Sequence, residues 1–102
     1  MKNYFLHGKL TAKKDHGEQL AKILLDASHL VEKANGCRLY IISIEPDNKE
    51  DVWVTEVWDS KTDHDNSLKD EKTRELILKA MPLLEGAPKE SQELENIGGF
   101  GI

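Results

Sequence analysis

A single cysteine, Cys37, stands among 102 residues. One thiol rules out an internal disulfide and is too few for a structural zinc site. No apolar run approaches the roughly 20 residues of a membrane span. The opening MKNYFLHGKL moves straight into strand-like alternation where a secretory signal would carry an apolar core. The expected location is the cytoplasm, with no membrane partner. Basic charge is also scarce: 14 Lys and Arg face 19 Asp and Glu, for a formal charge of -5. With no basic run and no aromatic-basic interleaving, nucleic acid is not an expected partner. Internal repeats and low-complexity segments are absent as well. The length fits one domain, residues 1–102, with no room for a separate cofactor module.

What is present reads as alternating strands and helices. Tyr4 to Leu10 alternates as a first strand with bulk on both faces. Asp15 and Glu18 have capping-box spacing, and Leu20, Ile23, Leu24, Ala27, Leu30, Val31 and Ala34 recur at helical intervals until Gly36 ends the run. Cys37 to Glu45 is a second strand, Pro46 to Asp51 a turn-rich loop, and Val52 to Trp58 a third strand in a hairpin with the second. Ser60 and Asp63 signal the start of a short helix through His64, Ser67 and Leu68. Helical spacing resumes at Leu76, Ile77, Ala80, Met81 and Leu84, and Pro82 kinks or ends it. Ser91 to Ile97 is a last strand, and the apolar ending with Phe100 and Ile102 suggests a tail that packs on something.

The order β-α-β-β-α-β predicts an α+β, ferredoxin-like domain: a four-stranded antiparallel sheet with both helices on one face. Strands with apolar residues on both sides would then leave a bare apolar face. A homodimer through that sheet face is the simplest cover, because an identical partner offers the same surface.

The stretch from Val52 to Leu84 gathers the side chains capable of chemistry. Alternation puts Glu56 and Trp58 on one face of the third strand, next to a helix bearing His64. His64 is the natural base, since imidazole titrates near neutrality. Trp58 offers a wall and one N–H donor, and Glu56 a carboxylate to hold the imidazole. Tyr40 and Asn66 are candidate donors to a bound substrate. Each has a plainer reading as well: a core indole, a structurally bonded carboxylate, a solvent-facing histidine among Asp63, Asp65 and Asn66.

Gly36, Cys37 and Tyr40 opening the second strand, Glu56, Trp58 and Ser60 closing the third, and His64, Ser67 and Leu68 after it together resemble the antibiotic biosynthesis monooxygenase family, including its quinol-monooxygenase-like members. The resemblance runs over nearly the whole length. It implies a dimeric α+β barrel whose ligand pocket lies between sheet and helices. It also implies oxygen chemistry with no flavin, haem or metal, so no cofactor is expected. Haem-degrading relatives are a poor match, because they place an Asn where this chain has Gly8 and a haem-binding His where it has Leu68. Triplet dioxygen reacts slowly with closed-shell molecules unless the substrate donates one electron, which a phenolate, enolate or hydroquinone anion can do. The expected activity is cofactor-independent monooxygenation of a small electron-rich aromatic or quinol, with dioxygen as co-substrate. Two alternatives stay open: a cofactor-free isomerase of a small carbonyl metabolite, and a non-catalytic dimer that binds a ligand or serves a stress response.

Overall fold

A computed structural model describes residues 2–88 and 90–102. Strands β1 (Asn3–Thr11), β2 (Cys37–Glu45), β3 (Asn48–Trp58) and β4 (Glu90–Asn96) form one antiparallel sheet in the order β2-β3-β1-β4. Helix α1 (Gly17–Val31) connects β1 to β2. Helices α2 (Lys61–Ser67) and α3 (Glu71–Ala80), followed by a 3-10 turn at Met81–Leu83, connect β3 to β4. This is the expected ferredoxin-like α+β arrangement, with its second crossover divided between two helices.

Alternation in β3 sends Val52, Val54, Glu56 and Trp58 toward the helices, and all four are buried. Their register partners Leu10, Gly8, Leu6 and Tyr4 on β1, and Ile44, Ile42 and Tyr40 on β2, share that face. Leu20 from α1 and Val52 have no exposed surface and form a nucleus with Ala12 and Ala80. Burying either side chain fully is worth about 1.5–3 kcal/mol. The 3-10 turn is bound to the end of β1, where Lys13 N donates to Leu83 O at 2.7 Å and Glu85 N to Thr11 O at 2.8 Å. That closes the floor beneath the helices.

Several local expectations are corrected. Asp15 does not cap α1: it lies at φ 66°, and His16 takes the N-cap position without a side-chain bond. The turn brings Gly17 against β3 so closely that a Cβ there would fall on the Lys49 carbonyl. Helix α1 ends at Val31, before Ala34, and Gly36 at φ 84° closes the following turn with its carbonyl accepting from Asp59 N at 2.8 Å. The expected loop from Pro46 to Asp51 is mostly strand, since β3 begins at Asn48 after a turn at Pro46 and Asp47. Asp51 is held both from β1 and from its own strand. Asp51 accepts from Thr11 Oγ1 at 2.6 Å and from Asn48 Nδ2 at 2.8 Å.

The opposite sheet face carries Phe5, Leu39, Ile41, Val57 and Leu94, with Ile41 and Leu94 about half exposed. Toward its other end the His7 ring stacks on Trp53 at 4.7 Å, and Lys9 Nζ lies 5.5 Å from the Trp53 ring centroid. No described helix covers this face. The tail does not pack on this chain through Phe100, which is fully exposed, while Ile102 is more than half covered. Among the described residues, no helix is long and apolar enough to cross a membrane.

Candidate functional site

Between the helix-facing side of the sheet and the helices lies a cavity of about 230 Å³. Its walls are mainly apolar: Leu10 from β1, Ile23, Leu24 and Ala27 from α1, and Leu76, Ile77 and Met81 near α3. Tyr40, Glu56 and His64 reach it on one side, and Ser67 and Thr73 also line it, with hydroxyls that donate to the His64 carbonyl and to Asp70 Oδ2. An apolar cavity with few convergent polar groups suits a small ligand held in one orientation.

Local structure explains how Tyr40, Glu56 and His64 meet. Tyr40 and Glu56 are register partners on β2 and β3, so strand alternation sets them side by side. After Trp58 the chain turns, and Ser60 caps α2 as its spacing predicts, with Oγ accepting from Asp63 N at 3.1 Å. That cap begins the helix at Lys61 and brings His64, one turn on, back over β3. His64 Nε2 lies 3.7 Å from Glu56 Oε1, a close polar contact beyond hydrogen-bond length. Its ring also sits 5.4 Å from Tyr4 and 5.8 Å, edge-on, from Trp58.

Trp58 is fully buried behind Glu56 and does not line the cavity. Its Nε1–H donates to Glu56 Oε1 at 3.0 Å. Burial pushes the Glu56 carboxyl above its ordinary value, while the Trp58 N–H and the nearby His64 pull it down without cancelling that rise. Tyr40 is also pushed up, first by burial and then by the neighbouring Glu56. Its phenol stays neutral at physiological pH and available as a donor. Asn66 is not brought to this cavity. It is exposed on the far side of α2, facing a separate surface hollow.

One partner escaped the sequence reading. His64 Nδ1 lies 3.0 Å from Asp65 Oδ1, and Asp65 is held below the usual carboxylate range, first by that bond and then by Lys61 at 3.1 Å. An ionised carboxylate only accepts, so Nδ1 carries the proton and Nε2 presents a lone pair on the Glu56 side. Adjacency of Asp65 to His64 in sequence was the available signal. Leu68 also lines the cavity. Among the described residues, no three His, Cys, Asp or Glu side chains converge as a metal-ligand set.

The geometry defines a ferredoxin-like α+β domain with an internal, largely apolar cavity bearing a carboxyl-imidazole pair. The chain belongs to the antibiotic biosynthesis monooxygenase family, whose pattern it matches over residues 3–77. It is similar to the crystal structure of an antibiotic biosynthesis monooxygenase candidate from Chloroflexus aurantiacus J-10-fl: TM-score 0.88, 32% identity, 98% of each chain covered. A conserved protein from Methanosarcina mazei Go1 (TM-score 0.82, 17% identity, 92% of each chain) is also similar. So is a second monooxygenase candidate, from Caulobacter crescentus CB15 (TM-score 0.84, 16% identity, 94% of this chain and 91% of that one). These two share the fold alone. No curated protein matches the chain.

Proposed function

We propose that this protein is a cofactor-independent monooxygenase acting on a small electron-rich aromatic or quinol. The observation that carries this reading is the Glu56-His64 pair on the wall of an otherwise apolar cavity, with the neutral Tyr40 phenol beside it. In the proposed first step, His64 Nε2 takes the acidic C–H or O–H proton of the substrate. The resulting imidazolium faces Glu56, which offsets its charge. Tyr40 donates its O–H to the substrate oxygen on which negative charge develops. The substrate anion gives one electron to dioxygen, the radical pair combines to a peroxide anion, the His64 imidazolium returns its proton to give the hydroperoxide, and loss of water leaves a carbonyl. Where the reacting carbon is a methylene, that group and one dioxygen become one carbonyl and one water, so all the electrons that reduce dioxygen come from substrate. Apolar walls suit this sequence by excluding water from the radical pair. Trp58 is a positioning residue in this scheme, acting through Glu56.

The test is oxygen uptake by metal-stripped protein with anthrones, hydroquinones and enolisable diketones. Uptake above autoxidation that falls by about a hundredfold or more in His64→Ala, the usual span for losing a general base, supports the scheme. Uptake unchanged in His64→Ala refutes the assigned base. A proton-exchange pair does not itself require dioxygen, which favours a second reading as an isomerase of a small carbonyl metabolite. Solvent deuterium entering product with no oxygen consumed would select it. We also read the bare sheet face around Phe5, Ile41 and Leu94 as the contact with a second copy of the chain. A monomeric mass by light scattering at micromolar concentration would overturn that assembly.

A further inference from the structure

Helix α3 turns one stripe toward the cavity, at Thr73, Leu76, Ile77 and Ala80, with Met81 just past its end. The helix packs on α1 and approaches no strand as closely. Thr73 and Ala80 are buried, yet Ile77, between them on the stripe, is 39% exposed and Met81 is 59% exposed. Leu68, the C-cap residue of α2, lines the same space and is 43% exposed. These three large apolar side chains each reach from the cavity to solvent, and they mark its mouth. The lining groups that titrate, Tyr40, Glu56 and His64, lie apart from it at the reacting side. His64 and Leu68 are four residues apart, about 6 Å along the axis of α2 at 1.5 Å per residue.

We propose that this mouth is a subsite for an uncharged alkyl chain carried by the substrate ring, so that alkyl-substituted rings are the preferred substrate class. The inference rests on reading the cavity as the ligand site. Ligand pockets commonly enclose about 300–1,000 Å³. At about 230 Å³ this one holds a one- or two-ring nucleus and leaves a longer substituent to pass outside. A ring whose reacting edge meets His64 Nε2 has its far edge one helical turn away, at Leu68. A chain leaving there runs over Leu68, Ile77 and Met81 and meets no charged lining group. Met81 adds an unbranched thioether that adapts to the shape of a chain. The chain in turn covers apolar surface that the fold leaves in water, and it closes the mouth against the water that the radical step must exclude.

Four probes test this in anaerobic calorimetry: 1-naphthol and its 4-ethyl, 4-butyl and 4-(2-methoxyethyl) derivatives. Full burial of a methylene tightens binding about fourfold and half-burial about twofold. The butyl compound should therefore bind about fourfold more tightly than the ethyl one, and the methoxyethyl compound, of equal length, should lose that gain. In Leu68→Gln/Ile77→Gln/Met81→Gln the butyl-to-ethyl ratio should fall to near one. Leu78, an exposed residue of α3 that does not line the cavity, is the control, and Leu78→Gln should keep the ratio. A ratio near one in the unmodified protein, a ratio that survives the triple substitution, or one lost in Leu78→Gln would overturn the subsite. So would a triple variant that turns an assembled protein monomeric by light scattering, because the rim would then be a contact between copies. Backbone amide shifts separate this from the fate of the cavity: 1-naphthol should move resonances of Leu10, Ile23 and Leu76, and the butyl group should add shifts at Leu68, Ile77 and Met81. Binding of 1-naphthol with no gain from the chain overturns the subsite and leaves the cavity reading in place. If 1-naphthol moves none of those resonances while the chain still gains through the rim, the cavity reading fails and the alkyl site stands. Binding by none of the four overturns both.

Discussion

Trp58→Phe tests how Glu56 is held. The indole is fully buried and its N–H is a 3.0 Å donor to Glu56. Shrinking the indole to a phenyl ring empties about 40 Å³, worth about 1 kcal/mol at ~24 cal/mol per Å³. Losing a hydrogen bond to a charged group adds about 1.5–3 kcal/mol. The expected loss near neutral pH is therefore roughly 2.5–4 kcal/mol, read by urea denaturation. Its pH dependence separates the two parts. Because burial raises the Glu56 carboxyl in the folded state, its favourable contribution is complete below the unfolded value of about 4.3 and is lost as pH rises through the folded value. Removing the Trp58 donor raises the folded value further, so the variant should lose more stability than the parent on going from pH 4 to pH 7. Near pH 4 only the packing loss should remain. In a Glu56→Gln background the loss from Trp58→Phe should be independent of pH. A pH-independent difference in the Glu56 background would show that the indole packs there without holding the carboxyl.

Leu20→Ala removes a side chain with no exposed surface from the nucleus under α1, and should cost about 2–5 kcal/mol in chemical denaturation. Gly17→Ala would set a methyl group on the Lys49 carbonyl and force α1 from β3; a loss of at least about 1–3 kcal/mol is expected, and none would show that this contact is slack. Tyr4 is pushed up to about 12, first by burial and then by Glu93, and Tyr40 is also raised. The contribution of each neutral phenol is complete below the unfolded value near 10 and lost as pH rises through the folded one. Absorbance at about 295 nm should therefore show almost no tyrosinate at pH 10.5 while the protein is folded, and half-titration of either tyrosine there would refute the assignment.

The sheet was legible because strand periodicity is a local property. Val52 to Trp58 alternates cleanly, and its helix-facing set is the buried one. The α1 stripe and the Ser60 cap were legible for the same reason. Asp15 was not, because its positive φ follows from the close approach of Gly17 to β3, a contact far along the chain. Asn48 to Asp51 read as a loop because polarity resembles solvent exposure until Thr11, a distant residue, is seen satisfying Asp51. At the site, alternation put Tyr40 and Glu56 on the right face, but depth is not written in alternation. Trp58 shares that face and sits behind the cavity wall. Asn66 lies two residues from His64, about 200° around a helix, which carries it to the separate surface hollow.

Strand β3 buries two carboxylates, and the chain treats them differently. Asp51 receives the Thr11 hydroxyl and the Asn48 amide, with the Lys9 ammonium 3.9 Å away. Glu56 receives one N–H, from Trp58, and otherwise faces an imidazole beyond bonding distance and an apolar cavity. A carboxylate serving structure alone is stabilised by saturating its oxygens, as at Asp51, because an unsatisfied buried charge destabilises the fold. Leaving Glu56 short of donors keeps its proton affinity high. That is a liability for stability and an asset for a group that must accept or share a proton during turnover. Asp65 completes the arrangement from the far side by fixing the His64 proton on Nδ1, which leaves Nε2 free on the side where Glu56 waits. The under-satisfied carboxyl and the aligned lone pair are separate features of separate elements, and they converge on one cavity wall.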